Sequence, residues 1–335
     1  MPEDEPQAAH QPHDKLFKSG FSDPATAAAF LSCQLPAALS ARIDWSELQL
    51  QPGSFVDSQF RHSESDLLYS APVAGTNALS GTGALIYVLF EHQRMFDAWI
   101  GLRLLRYMVR IWEGYLRDRP QAKGLPVIVP VVLAQSAGTW GLNPQFASLL
   151  DLPTGLEKDF AGFIPDFAFR LIQLAELPYE KITGTPAGIL VLRALKAEQM
   201  GQLLGGEVWD EALMAVAPRE IFEMVLRYIL LAGDIDREAF DRKVYGLATE
   251  RIKTTAMTLA QQFRQEGRLE GREEGQVLAQ QGAVIEALKI RFGQVPEMSR
   301  GAILVITDAA RLHLLHSEAI RCTSLEAFAR TLAGG

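Results

Sequence analysis

Two carboxylates and one amide have the types and spacing that could do chemistry: Asp66 in SESDLLYS, and Glu91 with Gln93 at the end of ALIYVLFEHQ. The second segment is rich in β-branched and aromatic residues and reads as a strand. Side chains alternate faces along a strand, so Glu91 and Gln93 point one way and His92 the other. If the Asp66 segment pairs with this strand, the two carboxylates converge at one sheet edge. Hard oxygen donors of that kind suit Mg²⁺, with Mn²⁺ as the second choice. Such an ion polarises a phosphodiester and makes an attacking water more acidic. Gln93 would orient water or phosphate by hydrogen bonding. It cannot act as a cation, so transition-state charge falls on the metal and on nearby arginines. Taken singly, Asp66 or Glu91 is a solvated acid at a strand end; only the combination points to a site.

The segment after this strand carries Arg103, Arg106, Arg110 and Arg117, with Tyr107 beside them. On a helix these arginines share roughly one stripe, suited to bidentate contacts with phosphate oxygens. The competing reading is an ordinary solvated face opposite Leu102, Leu105, Val109 and Trp112. His13-Asp14, ahead of the first long helix, lacks any serine or cysteine motif and reads as an N-terminal cap or a substrate-edge pair. Asp166, in IPDF, reads as a turn residue before it reads as a catalytic acid.

Other chemistries lose support, since GxxxxGK[ST], GxGxxG, HExxH and GxSxG are all missing from the sequence. The elements that must position the acids follow from local signals. Ser22-Asp23-Pro24 supplies a cap and a first-turn proline, and that helix stops near Pro36. Residues 55–73 read as two extended segments, with 75–83 as a hairpin loop before the strand. Asp97 is placed to cap a helix to about Asp118, followed by buried-strand candidates at 125–133 and 167–173. Helix, strands, helix, strand is an α/β order, with a mixed sheet flanked by helices.

Helical segments are then expected near 186–200, 218–232, 236–265 and 284–332, the last with a turn at Phe292-Gly293 and Pro296. Between them, RQEGRLEGREEGQ sets Gly267, Gly271 and Gly275 every fourth residue, close to one face of a helix. Each glycine costs a helix about 1 kcal/mol relative to alanine, so the repeat is either a linker or a surface of close helix approach, including approach of a second chain. The implied organisation is a leader at 1–12, a main domain at 13–205, a helical extension at 206–263, the glycine segment at 264–281 and a small helical module at 282–335.

The 335 residues, 48% hydrophobic and 21% charged, are those of an ordinary globular protein. A formal net charge of -8 means that contact with phosphate must come from a local basic patch or a bound cation. Cys33 and Cys322 offer neither a disulfide framework nor zinc spacing, which fits a reducing compartment. No apolar leader or run of about 18 apolar residues occurs, so a cytosolic protein without a membrane span is expected.

In order and spacing, HDKLFKSGFSDPATAAAFLSCQLP, SFVDSQFRHSESDLLYS, IYVLFEHQ, RLLRYMVRIWE and LPVIVPVVL resemble the Rpn family of recombination-promoting nucleases over about residues 13–200. The EGR repeat and Arg291-Phe292-Gly293 resemble that family's C-terminal extension. The resemblance implies a PD-(D/E)XK restriction-endonuclease-like core with a helical C-terminal extension. Members of that superfamily cut DNA with an aspartate on one strand and an acid-x-lysine on the next. Asp66 matches the aspartate, Glu91 the acid, and Gln93 stands where the superfamily has lysine, as the family typically shows. Arg94 departs from the family's usual EHQS. The implied activity is Mg²⁺-dependent DNA cleavage with low sequence specificity, linked to recombination or mobile elements, with DNA as partner. A homodimer through the glycine segment and C-terminal module is also expected. The alternative is a catalytically silent DNA-binding or self-associating scaffold of the same fold.

Overall fold

The computed structural model describes residues 11–52, 67–75, 85–153, 155–233 and 235–334. Asp66, most of the 55–73 region, most of the 75–83 loop and the first ten residues of the leader lie outside the described residues. The leader's last two residues, Gln11 and Pro12, belong to a helix.

The chain divides into two compact units, Met1–Met257 and Thr258–Gly335. In the first, helices α1 (Gln11–Phe21), α2 (Pro24–Gln34) and α3 (Ala37–Ser40) precede strands β1 (Gln49–Leu50), β2 (Leu67–Pro72) and β3 (Leu85–Gln93). Helix α4 (Ile100–Asp118) leads to β4 (Val127–Ala134), and α5 (Glu157–Phe160) to β5 (Arg170–Gln173). Helices α6 (Pro186–Gln199), α7 (Glu211–Val216), α8 (Arg219–Ala232) and α9 (Arg237–Tyr245) follow. The cap at α2 forms as its sequence dictates: the Asp23 carboxylate accepts from Ala25 N at 3.3 Å and Thr26 N at 3.1 Å.

The five strands make one sheet in the order β1-β2-β3-β4-β5. β1, β2 and β3 pair antiparallel, with Leu67 opposite Phe90 and Leu68 opposite Leu89. β3 and β4 pair parallel across the α4 connection, and β4 pairs parallel with β5. The sheet is therefore mixed, and its central strands are buried on both faces.

Alternation along β3 sorts the core. Tyr87 and Leu89 pack with Ile100, Leu104, Tyr107, Met108 and Ile111 of α4. On the other face Phe90 meets Phe17, Phe21 and Phe30 of α1 and α2, with ring centroids 5.0, 5.3 and 6.1 Å away. Aromatic pairs of this kind add roughly 0.5–1.5 kcal/mol each beyond area burial. α1, α6 and α8 pack on one another over this second face.

The expected apolar side of α4 is corrected in part, for Trp112 does pack against this core. Leu102 and Val109 are 45% and 41% exposed, while Ile100, Leu104, Met108 and Ile111 are buried. Both sets have helical spacing; the sheet selects the one flanked by Gly101, where an added Cβ would stand 2.9 Å from Leu149 Cδ1. The segment expected to be helical near 236–265 holds two helices, α9 and the start of α10 (Glu250–Phe292), with a break between them. The Glu211 carboxylate accepts from Ala248 N at 3.0 Å and Thr249 N at 2.7 Å, satisfying the donors that open α10. These contacts hold the Glu211 carboxyl below its usual range: the hydrogen bonds with Thr249 and Ala248 favour the anion.

The glycine segment is no linker: α10 runs through it without interruption. An added Cβ at Gly267, Gly271 or Gly275 would meet no atom of the described residues within 4 Å, so no close helix approach is seen there among the described residues. The second unit closes with α11 (Glu297–Leu304), α12 (Ala309–Arg321) and α13 (Leu325–Ala333), after a turn at Gly293 with φ 81°. Its core gathers Val284, Leu288, Ile303, Leu312, Leu315 and Phe328.

Candidate functional site

Glu91 and Gln93 emerge at the C-terminal end of β3 on the α4 face, because they share the parity of Tyr87 and Leu89. Glu91 is completely buried. Gln93 Nε2 donates to Glu91 Oε1 at 2.5 Å. From the first turn of α4, Arg103 brings Nη2 to 3.0 Å from the same oxygen, while its Nη1 lies 3.1 Å from Asp97 Oδ2. The guanidinium thus bridges two carboxylates. Its approach to Glu91 is ionic rather than aligned: Arg103 Nε and Nη2 are buried and carry no hydrogen bond among the described residues. A buried carboxylate is tolerable because this charge sits beside it.

Asp97 was expected as the cap of α4. It accepts instead from the backbone N–H of Trp99 at 2.8 Å, one residue ahead of the helix, and orients Arg103 with its other oxygen.

Behind the strand, His92 faces a second polar cluster. Its Nδ1 lies 3.2 Å from Asp14 Oδ1 and its Nε2 2.8 Å from Gln135 Oε1. The Gln135 amide nitrogen, with two hydrogens to donate, lies 3.0 Å from Leu195 O, 3.1 Å from Glu198 Oε2 and 3.1 Å from the Tyr228 hydroxyl. His13 Nδ1 is 2.8 Å from that hydroxyl, and Arg94 pairs with Glu198 at 3.1 Å. Burial pushes the Tyr228 phenol well above its ordinary value, and the Glu198 carboxylate pushes it the same way. In place of the expected capping or substrate-edge role, His13 and Asp14 turn inward from the first turn of α1: Asp14 fastens it to His92 on the back of β3, and His13 to Tyr228 on α8.

Asp66 lies outside the described residues. Arg106 and Arg110 are exposed on α4, with Arg110 Nη1 3.2 Å from Glu113 Oε2. Tyr107, grouped with them from sequence, is 92% buried in the core between α4 and the sheet. Asp166 caps the short helical turn Phe146–Leu149, accepting from Ala147 N at 3.1 Å and Gln145 Nε2 at 2.7 Å. The structure thus joins Glu91, Gln93 and Arg103, and leaves His13, Asp14, Tyr107 and Asp166 elsewhere.

Sequence reasoning passed over Gln135, Glu198 and Tyr228, gave Asp97 only a capping role and noted Arg94 only as a departure from EHQS. Gln135 had a signal, as the polar end of an apolar run with the parity of Leu133, which pairs with His92. It also passed over Lys196, a buried lysine whose Nζ donates to Leu174 O at 2.7 Å, Ala175 O at 3.0 Å and Leu177 O at 2.9 Å. Burial lowers its pKa. With its donors spent on three carbonyls, Lys196 ties the turn after β5 to α6 and is no stand-in for a site lysine.

Comparison with known proteins adds a family. The family described as "Putative transposase, YhgA-like" matches residues 11–213. Recombination-promoting nuclease RpnA of Escherichia coli (strain K12) is 30% identical over 257 residues, 76% of this chain and 83% of the relative. Recombination-promoting nuclease RpnD of Escherichia coli O157:H7 is 29% identical over 230 residues, 68% of this chain and 84% of the relative. Inactive recombination-promoting nuclease-like protein RpnE of Escherichia coli (strain K12) is 27% identical over 303 residues, 88% of this chain and 93% of the relative. No solved structure matches.

Proposed function

We propose that this chain, which belongs to the YhgA-like family, is a metal-dependent DNA endonuclease of the PD-(D/E)XK type, of low sequence specificity, acting in recombination or on mobile elements. The observation that carries the reading is the Glu91–Gln93–Arg103 cluster: a buried carboxylate at a strand end, an amide 2.5 Å from it, and an arginine 3.0 Å away that also reaches Asp97. Gln93 has no charge to give where the superfamily has lysine. Arg103 brings that charge from α4.

Asp66 is the second carboxylate of the proposed site. One peptide, a Cα reach of about 3.8 Å, joins it to Leu67, and Leu67 pairs with Phe90, the neighbour of Glu91. Mg²⁺ is held through one or two carboxylates, with water and substrate phosphate completing its shell. In this proposal Glu91 and Asp66 are those carboxylates, and Mn²⁺ suits the same oxygen donors. When bound, such an ion neutralises phosphate charge and makes a water more acidic. The chain's own residues do the rest. Arg103 offers positive charge to a phosphate oxygen, and Gln93 keeps the Glu91 carboxylate turned toward the site. Arg106 and Arg110 extend the contact along the DNA backbone.

No helix among the described residues is long and apolar enough to cross a membrane. Both cysteines are free thiols, which supports a reducing, cytoplasmic setting. A homodimer formed through α10 and the C-terminal helices belongs to the same proposal.

The test is cleavage of supercoiled plasmid by purified protein with Mg²⁺ or with EDTA, beside Asp66→Asn. Cleavage that needs Mg²⁺ and disappears in the variant is expected; equal cutting by the variant removes Asp66 from the site. The similarity to RpnE, described as inactive, supports a second reading: a silent DNA-binding or self-associating scaffold in which the Arg103–Glu91 pair serves only the fold. DNA binding without cleavage under any divalent metal would favour it.

A further inference from the structure

The connection from β3 to α4 leaves aromatic surface uncovered beside the candidate site. Phe96 is 57% exposed and Trp99 62%. Single exposed apolar residues are ordinary; here the two rings flank Asp97, which holds Arg103. Neither position is loose. Phe96 stands edge-on to the buried Trp140, with ring centroids 5.4 Å apart. The Trp99 backbone N–H donates to Asp97 at 2.8 Å, and its carbonyl accepts from Arg103 N at 3.1 Å. The indole is therefore carried on the same helical turn as the guanidinium that meets Glu91.

A cavity of about 240 Å³ opens beside that turn. Ala98 and Ile100, the neighbours of Trp99, line it together with Phe169, and Asn143 and Ser148 add polar groups. The volume lies below the roughly 300–1,000 Å³ that drug-sized ligands occupy and suits one planar ring. Charge points to what that ring is attached to. α4 carries Arg103, Arg106, Arg110 and Arg117 against Glu113 and Asp118, a local positive balance on a chain of net charge -8.

Aromatic rings beside cationic side chains are the recognition chemistry of unpaired nucleic acid: bases stack on the rings, and phosphates follow the cations. An intact duplex keeps its base faces stacked inside and has nothing to lay on Phe96 or Trp99. We propose that Phe96 and Trp99 form a stacking platform for unpaired nucleobases of a DNA strand whose backbone runs along the arginines of α4. The site then favours single-stranded or locally opened DNA over intact duplex. The proposal rests on the nuclease reading for the place of the strand, but its test needs no cleavage.

Fluorescence anisotropy in EDTA compares labelled oligothymidylate with a duplex of the same length, using the full chain, Phe96→Ala, Trp99→Ala and Trp99→Phe. Oligothymidylate binds the wild type more tightly and quenches its indole emission; of the five tryptophans, Trp99 is the one whose loss removes the quench. Trp99→Ala weakens oligothymidylate binding on the order of tenfold, the worth of one stacked base, whereas Trp99→Phe keeps most of it. Duplex binding barely changes. Unaltered oligothymidylate binding by both alanine variants overturns the platform, as does a wild-type preference for duplex. So does self-association of the wild type that Trp99→Ala dissolves, which would make the rings an interface between copies. If the alanine variants bind normally while the wild type cuts plasmid, the nuclease stands and the platform falls. If binding is lost while no variant or wild type cuts, the reverse holds.

Discussion

Arg103 sets its Nη2 3.0 Å from Glu91 Oε1, so a cation from the first turn of α4 answers a fully buried carboxylate at the end of β3. The position two residues past Glu91, where a lysine would serve, holds Gln93, which donates to the same oxygen. The charge at this site is thus delivered across space rather than along the strand.

Removing it has a measurable consequence. Arg103→Ala is expected to lower the cleavage rate on the order of 100-fold, as losing one preorganised donor does. Gln93→Lys in the Arg103→Ala background restores part of that loss, because the cation returns beside Glu91. Gln93→Lys alone crowds a second cation against Arg103 and lowers activity. Plasmid-nicking rates for the four proteins form a double-mutant cycle; additive effects would mean that the two positions do not share one charge.

The cluster behind β3 predicts a stability effect. Gln135 is fully buried, with its two amide hydrogens among Leu195 O, Glu198 and Tyr228 and its oxygen facing His92. Gln135→Leu leaves those buried partners unsatisfied, at a cost of about 3 kcal/mol. Urea unfolding measures it; a loss below about 1 kcal/mol, the worth of one ordinary hydrogen bond, would mean that the network contributes little.

How much of this could be read from sequence depended on range. The runs that became β3 and β4, the cap at Asp23 and the shared parity of Glu91 and Gln93 are local, and local signals carried them. α4 shows where locality fails: Leu102 and Val109 repeat at helical spacing as well as Leu104 and Ile111 do, and only the sheet decides which set is buried. Arg103 reads as one member of a stripe until its partners are seen. His13 and Tyr228 lie 215 residues apart, and no spacing rule joins them. The break between α9 and α10 likewise depends on Glu211, a residue on α7.

Two tyrosines give a pH dependence with a definite sign. Burial raises the Tyr69 and Tyr228 phenols far above their ordinary value of 10.0, with Asp23 and Glu198 adding to the respective effects. Below that value both states hold the protons and nothing changes. Above it the unfolded chain releases protons that the folded chain keeps, so stability falls as pH rises, by about 1.4 kcal/mol per pH unit for each tyrosine. Urea midpoints taken on either side of pH 10 should fall more steeply for the wild type than for Tyr69→Phe. Equal slopes would contradict the burial argument.

The glycine face of α10 separates two accounts of the C-terminal helices. With no atom of the described residues near an added Cβ at Gly267, Gly271 or Gly275, alanine at each should stabilise the helix by about 1 kcal/mol. If a second chain seats on that face, the same substitutions block it. Thermal unfolding and sedimentation of the triple alanine variant distinguish them: higher stability with unchanged mass excludes the face as an interface, and loss of a dimer establishes it.

The central claim stands most directly on Glu91. Wild type and Glu91→Gln should be compared for nicking of supercoiled plasmid in Mg²⁺, with anisotropy in EDTA confirming that both bind DNA and circular dichroism that both fold. Nicking by the wild type, abolished in a folded, DNA-binding Glu91→Gln, is the predicted result. Nicking that survives the substitution would contradict the account and move the chemistry away from the end of β3.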